Sequence, residues 1–320
     1  METRGTGNDL RESSPLVSIV IPTYNRPTLL AEAIGNALGQ TGFDDFEVLV
    51  LDNEDAPRNP DPTEAVIAGF RDSRLRYHRN PKNLGMTGNW NRGLELARGT
   101  WVSLLHDDDL ICPAFLARVV PLFPSADLIV SRVVVGPTPP GPGAWDTSLR
   151  PRPARRLDRI DLAFSNPSPA PGIIFRRQLA LQLGGFNEDW YPCADYDFWI
   201  RYVSEFKALL LPERLAFYRI QDNESLRPTT RIRIAEKAGL LQQALVDRLI
   251  PGSRLSRFIG SSGVISLLHH YSQDPRFRDD PEVAEFAQRQ GYRPGTPDWR
   301  IKARAKLAKC LLQWRAKEGR

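Results

Sequence analysis

Apolar residues along this chain follow two rhythms. Short, nearly continuous apolar runs occur at residues 16–22 (LVSIVIP), 46–53 (FEVLVLDN) and 101–105 (WVSLL), and LRYHRN at 75–80 is a further candidate strand. Runs of this length, rich in β-branched residues and closed by turn formers, predict buried strands. Between them apolar residues recur every three or four positions. TLLAEAIGNALGQ spaces Leu29, Leu30, Ala33, Ile34, Ala37 and Leu38 for one helical face, with Thr28 as candidate cap. EAVIAGF and GNWNRGLELARG read as two more helices.

Strand and helix thus alternate, the mark of an α/β fold: a mostly parallel sheet with flanking helices. Ligands of open α/β sheets bind beyond the carboxyl ends of the strands. Three strands here end in PTYN, LDN and HDDD, so polar residues gather at one edge. Further along, residues 136–153 (GPTPPGPGAWDTSLRPRP) predict a long mobile loop. An apolar strand at 172–175, a helix ending at Gly184–Gly185, a helix over CADYDFWIRYVSE and two short strand-like runs in ALLLPERLAFYRI follow. From Arg231 onward the pattern is mostly helical.

At 320 residues, 41% apolar and 25% charged, the chain suits a large soluble globular domain. Its net charge of +5 suits anionic partners such as nucleotides or lipid head groups; nucleic acid is not an expected partner. No apolar stretch approaches the ~20 residues of a membrane helix, and the polar start of the chain does not read as a secretory signal. Cys112, Cys193 and Cys310 are odd in number and far apart, which argues against a zinc ribbon or disulfide framework and fits a reducing cytoplasm.

The stretch LLHDDDL (104–110) stacks Asp107, Asp108 and Asp109 behind an apolar strand. Three ionised carboxylates need a cation among them, and the nearest basic residues in sequence are Arg98 and Arg118. A divalent ion is one answer, since Mg²⁺ and Mn²⁺ prefer carboxylate oxygen; a solvated acidic turn is the other.

VSIVIPTYNRP, VLVLDN, NPKNLGMTGNWNRGLELARGTWVSLLHDDD and GGFNEDW…ADYDFWIRY follow the order and spacing of the GT-A glycosyltransferases of family 2. The chain resembles that family over roughly residues 15–220. The resemblance implies inverting transfer of a sugar from a nucleotide-sugar, UDP- or dTDP-linked, to a hydroxyl of a glycan, a lipid-linked or a small-molecule acceptor. It implies Mn²⁺ or Mg²⁺ on the diphosphate, with Asp109 and Asp107 as ligands and Asp107 and Asp108 beside the donor; Asp108 could take either role, and one sequence does not divide the work among the three. Pro22, Thr23, Tyr24 and Asn25 would line the nucleotide, and Asp52 would accept a hydrogen bond from the base edge, unless it caps its own turn. Asn53, Asn83, Gly85 and Asn89 or Asn91 would complete the donor site. Asp195 matches the catalytic base, although the acidic pair usual there reads Ala194–Asp195. Asp197 is more readily a helix-start carboxylate, and Trp190 and Tyr191 are candidates to stack on an acceptor ring or to pack in the core. Gln221 stands where many relatives carry a histidine, and His106 is expected to pack rather than ligate. A catalytically silent nucleotide- or glycan-binding module and a nucleotidyltransferase are the rival readings.

The expected organisation is a disordered tail at 1–14, a catalytic domain at 15–222 and a helical region at 223–320. In the last segment Arg300, Lys302, Arg304, Lys306, Lys309, Arg315, Lys317 and Arg320 face one acid, Glu318, a net +7. Ile301, Ala305, Ala308, Leu311 and Leu312 share one helical face. Such a helix either lies on an anionic membrane, giving a peripheral contact through residues 300–320 at the cytoplasmic face, or packs that face on the protein.

Overall fold

The run at 16–22 becomes β1 (Val17–Thr23), whose seven residues are all buried, as suits a strand with parallel neighbours on both sides and covered faces. The computed structural model describes residues 14–318, apart from 56–58, 142, 144, 146–152, 168–170, 222, 252, 253 and 294. The expected tail before residue 14, and much of the loop at 136–153, lie outside the described residues. After β1 come α1 (Pro27–Leu38), β2 (Phe46–Asp52), α2 (Pro62–Ala68), β3 (Leu75–Arg79), α3 (Gly85–Leu96) and β4 (Trp101–Leu104). The four strands pair in parallel in the order β3-β2-β1-β4.

The second half adds β5 (Leu110–Ile111), α4 (Phe115–Val119), β6 (Leu128–Gly136), β7 (Arg155–Leu157), α5 (Arg159–Leu162), β8 (Ile173–Arg176), α6 (Arg177–Gln182), α7 (Ala194–Glu205) and β9 (Ala208–Arg219). The sheet continues from β4 through β8, β6, β9 and β5, with β7 also on β9. Here β8 is antiparallel to both neighbours, whereas β6 and β9 are parallel, so the sheet is parallel in one half and mixed in the other.

Local differences from the sequence reading have physical causes. The two runs expected in ALLLPERLAFYRI form one strand. Its register against β6 jumps from Val130↔Leu210 to Arg132↔Arg214, so Pro212, which has no N–H to give, sits inside a bulge. Helix α1 starts on Pro27, and no side chain caps it, Thr28 included. Strand β4 ends at Leu104, so the three aspartates occupy the turn between β4 and β5. Gly93 lets α3 lie against the sheet: a Cβ there would stand 2.7 Å from Val20 Cγ1. One turn earlier, that approach brings Asn89 to the Leu51 carbonyl.

Helices α8 (Pro228–Leu249), α9 (Arg254–Ser272), α10 (Pro275–Arg278), α11 (Pro281–Arg289) and α12 (Asp298–Glu318) complete the described chain. Ala238, Leu241 and Leu245 of α8 and Ala308 and Leu312 of α12 join the same apolar cluster as Phe198, Trp199 and Tyr202 of α7, while Leu226, Ala235, Val264 and Ile301 belong to a second cluster among the C-terminal helices. The face of α12 that holds Ile301, Ala308 and Leu312 is therefore the packed one. Its opposite face exposes Trp299, Leu307 and Trp314, with Lys302 and Lys306 between them. Among the described residues no helix is long and apolar enough to cross a membrane.

Candidate functional site

A cleft of about 840 Å³ opens beyond the carboxyl ends of β1 and β4. The smaller hollow of about 460 Å³ between α9 and α12 is lined by Arg293, Arg300 and Arg304 with no carboxylate among its described lining residues, so the carboxylates gather in the larger one. Of the expected site residues, Pro22, Thr23, Tyr24, Asn53, Asn83, Asn89, Asp107, Asp108 and Asp195 line the cleft. Asn25, Asp52, Gly85 and Asp109 are not in its lining.

The aspartate turn does receive a cation from the chain. Asn25 takes a left-handed φ of 55°, which an asparagine tolerates, and both its neighbours, Tyr24 and Arg26, line the cleft. Arg26 Nη1 lies 3.0 Å from Asp108 Oδ2 and 3.4 Å from Asp107 Oδ1. Thr23 Oγ1 donates to Asp107 Oδ2 at 2.7 Å. Asn223 Nδ2 (3.0 Å) and Gln221 Nε2 (3.3 Å) donate to Asp108 Oδ2, and the Arg219 N–H donates to Asp109 Oδ1.

The Arg219 guanidinium also reaches the turn, donating to the Asp108 carbonyl, but it is paired with Glu32, and with Arg26 it does not balance three buried carboxylates. Burial, with the Asp108 charge next door, outweighs the Thr23 and Arg26 contacts, which act downward, and leaves the Asp107 carboxyl pushed up to about 6. Burial, with the Asp108 charge beside it, pushes Asp109 well above the ordinary range. The Oδ2 atom of Asp109 is buried with no hydrogen-bond partner. His106, Asp108 and Asp109 offer ligand atoms that all lie within 4.8 Å of one another. Carboxylate oxygens with one imidazole fit Mn²⁺, and the oxygens alone fit Mg²⁺. Burial holds His106 below its ordinary value, which keeps the ring neutral and a lone pair available. The same ring stacks on Trp90 at 5.4 Å, so the expected packing role is present beside the ligand geometry. Asp107 is outside this trio, turned to Thr23 and Arg26.

Four asparagines build the wall next to β2 and α3. Asn53 Nδ2 donates to Asn83 Oδ1 and to the Gly85 carbonyl, while Asn80 Nδ2 donates to Asn53 Oδ1 and Asn89 Oδ1. Gly85 opens α3 at a φ of 70°. Asn91 instead clamps the Phe186 backbone through both amide atoms, outside the cleft. Asp52 lies behind this wall, fully buried. Its Oδ2 accepts from Tyr77 and Arg79, and its Oδ1 accepts from the Glu54 N–H, the turn-capping alternative of the sequence reading. Asp52, Glu54 and Asp61 form a second acidic group, and Arg79 fills it at 2.7 and 2.6 Å from Asp52 and Asp61.

Asp195 stands in the first turn of α7, with its carboxylate held from two sides: Asn166 Nδ2 donates to Oδ2 at 2.7 Å and the Tyr196 N–H to Oδ1 at 2.8 Å. Burial outweighs those bonds and raises the carboxyl to about 6. Asp197 is paired within the helix to Arg201 at 2.9 Å, and Arg201 also donates to the Leu183 and Gly185 carbonyls. That pairing makes Asp197 a packing anchor. Trp190 and Tyr191 lie under Lys237 and Arg233 of α8, outside the cleft lining.

Sequence reasoning missed Arg26, Asn166, Tyr218 and Asn223, and the contribution of α8 and α9 to the cleft. Arg26 sits inside the quoted TYNRP, but its partners lie more than 80 positions away. Asn166 stands in a proline-rich stretch with no periodicity to mark it.

Residues 18–183, more than half of the chain, match the sequence profile described as glycosyl transferase family 2. A PGL/p-HBAD biosynthesis glycosyltransferase of Mycobacterium tuberculosis is 31% identical over 60% of this chain and 71% of its own length. Two solved structures share the fold. S. aureus TarS in complex with UDP superposes with a TM-score of 0.54 at 17% identity, covering 88% of this chain and 94% of that one. The mannosyltransferase PcManGT of Pyrobaculum calidifontis, in complex with GDP-Man and Mn²⁺, gives 0.55 at 18% identity, covering 95% and 86%.

Proposed function

Because the chain belongs to glycosyl transferase family 2, we propose that its cleft binds a nucleotide-sugar beside the aspartate turn and transfers the sugar, with inversion, to a hydroxyl held at Asp195. The supporting observation is that one cleft contains both the strand-end carboxylates and the Asp195 carboxylate, whose raised pKa suits a base working near neutral pH. The acceptor hydroxyl oxygen attacks the anomeric carbon and its proton passes to Asp195. The anomeric C–O bond to the diphosphate breaks, and its electron pair leaves with the nucleoside diphosphate. Asn166, on Oδ2, and the Tyr196 N–H, on Oδ1, hold the receiving carboxylate in place.

His106, Asp108 and Asp109 would hold Mn²⁺ or Mg²⁺, which offsets the charge that develops on the leaving diphosphate. Arg26, at the same place, adds a second positive group. UDP- or dTDP-sugars are the proposed donors, supported by the UDP complex of TarS. The imide contact expected of Asp52 does not support that choice, since its carboxylate faces Arg79. The GDP-Man complex of the mannosyltransferase makes a guanine donor the alternative to include. Residues 15–222 would form the catalytic domain, with the aspartate turn and Asp195 both inside it, and 223–320 a helical region that adds α8 and α9 to the acceptor wall and a peripheral membrane contact on the cytoplasmic face, through the exposed side of α12.

The test is nucleoside diphosphate release by purified protein with Mn²⁺ and UDP-, dTDP- and GDP-sugars, with the anomeric configuration of the product read by NMR. Donor binding without any release would support a silent binding module instead. Pyrophosphate release from a nucleoside triphosphate would support a nucleotidyltransferase.

A further inference from the structure

The two sides of the cleft differ in chemistry. The strand-end side concentrates charge and hydrogen-bonding groups at Thr23, Arg26, Asn53, Asp107 and Asp108, although Tyr24, Met86 and Trp90 also line it. The segments around Asp195 present Phe164 after α5, Pro192 before α7, Ile234 and Ala238 on α8, and Leu267 on α9. Phe164, Ile234 and Leu267 are half-buried: each packs part of its surface on the main core and leaves the rest to the cleft. Ile234 and Ala238 are four apart on α8 and so form one continuous ridge. Polar groups stand beside this apolar surface at Ser165, Asn166, Tyr196, Gln242, Ser266 and His270, where sugar hydroxyls would find partners.

On the reading of the cleft as a glycosyltransferase site, we infer that the acceptor is a glycoside with an apolar aglycone. Its sugar hydroxyl faces Asp195 and its aglycone covers Phe164, Ile234 and Leu267. A wholly polar glycan would desolvate its hydroxyls against these side chains without hydrogen bonds in return, which is unfavourable. An aryl or alkyl group removes the same apolar surface from water and binds in proportion to the area covered. The reaction is the transfer already described: the glycoside hydroxyl gains the donor sugar, Asp195 receives its proton, and the nucleoside diphosphate departs with the bonding electrons. Helices α8 and α9 thereby acquire a role in acceptor choice, outside the residues matched by the family profile.

The experiment uses the full-length protein with Mn²⁺ and a donor that it turns over. Methyl, phenyl and octyl glycosides of glucose, galactose and mannose are compared as acceptors. The expected result is a kcat/KM at least tenfold higher for a phenyl or octyl glycoside than for the methyl glycoside of the same sugar. A phenyl preference identifies an aromatic aglycone, and an octyl preference a lipid chain. Leu267→Gln and Ile234→Gln should each bring the ratio towards one. Equal kcat/KM for the three aglycones, a preference for methyl, or donor hydrolysis that no glycoside accelerates overturns the inference while leaving the enzyme reading intact. Absence of nucleoside diphosphate release from every donor is a different result: it removes the glycosyltransferase reading and this inference with it.

Discussion

Asn166 donates to Asp195 Oδ2 across 2.7 Å, and that contact fixes how the carboxylate meets the cleft. It joins the loop after α5 to the first turn of α7. The free lone pairs of Asp195 are therefore presented in one orientation. A base needs that geometry as much as it needs the right pKa. Asp195→Asn should lower kcat by on the order of 10² to 10⁴ while donor affinity, measured by calorimetry with Mn²⁺, stays near wild type. Lost donor binding, or an unchanged kcat, would move the base elsewhere.

The acidic limb of the pH profile should report the same carboxyl. Asp195 must be ionised to accept a proton, and burial raises it to about 6. Activity is thus lost as pH falls through about 6, well above the ~4 of an ordinary carboxylate. Asp107 and Asp109 are raised too, but a cation held at the turn would lower both. Profiles of kcat/KM at several Mn²⁺ concentrations should therefore share one limb near pH 6 that does not move with metal.

At the aspartate turn two substitutions should act in opposite directions. Asp109→Asn removes an ionised candidate ligand, and metal-dependent donor binding should be lost. Arg26→Gln removes the guanidinium that competes for Asp108. Its side chain is 37% exposed, so screening keeps the competition modest. Mn²⁺ alone should bind that variant about two- to fivefold more tightly, whereas the donor KM should rise. Titration of bound Mn²⁺ by electron paramagnetic resonance reads the first effect without turnover.

Asp197 should behave as structure rather than chemistry. Asp197→Asn weakens its pair with Arg201 and loosens the tie to the Leu183 and Gly185 carbonyls. A loss of about 1–3 kcal/mol in stability is expected, with kcat/KM close to wild type. A chemical denaturation curve beside a rate assay separates it from Asp195.

Membrane contact is best tested on the exposed face of α12. Cutting the chain near Pro297 would remove Ile301, Ala308 and Leu312 from the core, so binding and folding would be lost together. Trp314→Ser with Lys302→Glu and Lys306→Glu changes the outer face instead. Each cation near an anionic surface contributes about 1 kcal/mol. Flotation with phosphatidylglycerol vesicles should fall for the variant and, in wild type, with added salt. Equal and salt-independent flotation would leave α12 as packing alone.

The first half of the fold was legible because each βα unit carries its own pattern: β1 reads as an apolar run and α1 as a helical stripe, and their polar ends fall on one edge. Strand β6 was not, since Ser131 and Arg132 break its apolar run and its outer half is only half-buried. Site residues at strand ends, such as Thr23 and Asp107, could be found from position. Arg26, Asn223 and Asn166 could not, because their partners are set by tertiary folding. Helix α12 shows the limit of periodicity: its small and aliphatic residues correctly marked a buried face, but that face meets protein. The outward face, with Trp299, Leu307 and Trp314 scattered among lysines, lacks a continuous apolar stripe.

The chain leaving β9 touches both halves of the cleft. The Arg219 N–H holds Asp109, the Gln221 and Asn223 amides hold Asp108, and the strand leads through one short turn into α8, where Ile234 stands. Filling the carboxylate side should therefore stiffen the segment that carries the opposite wall. Kinetically this favours a compulsory order of addition, with the nucleotide-sugar entering first and the nucleoside diphosphate leaving last. Competitive inhibition by nucleoside diphosphate against the donor, and noncompetitive inhibition against the acceptor, would be its signature.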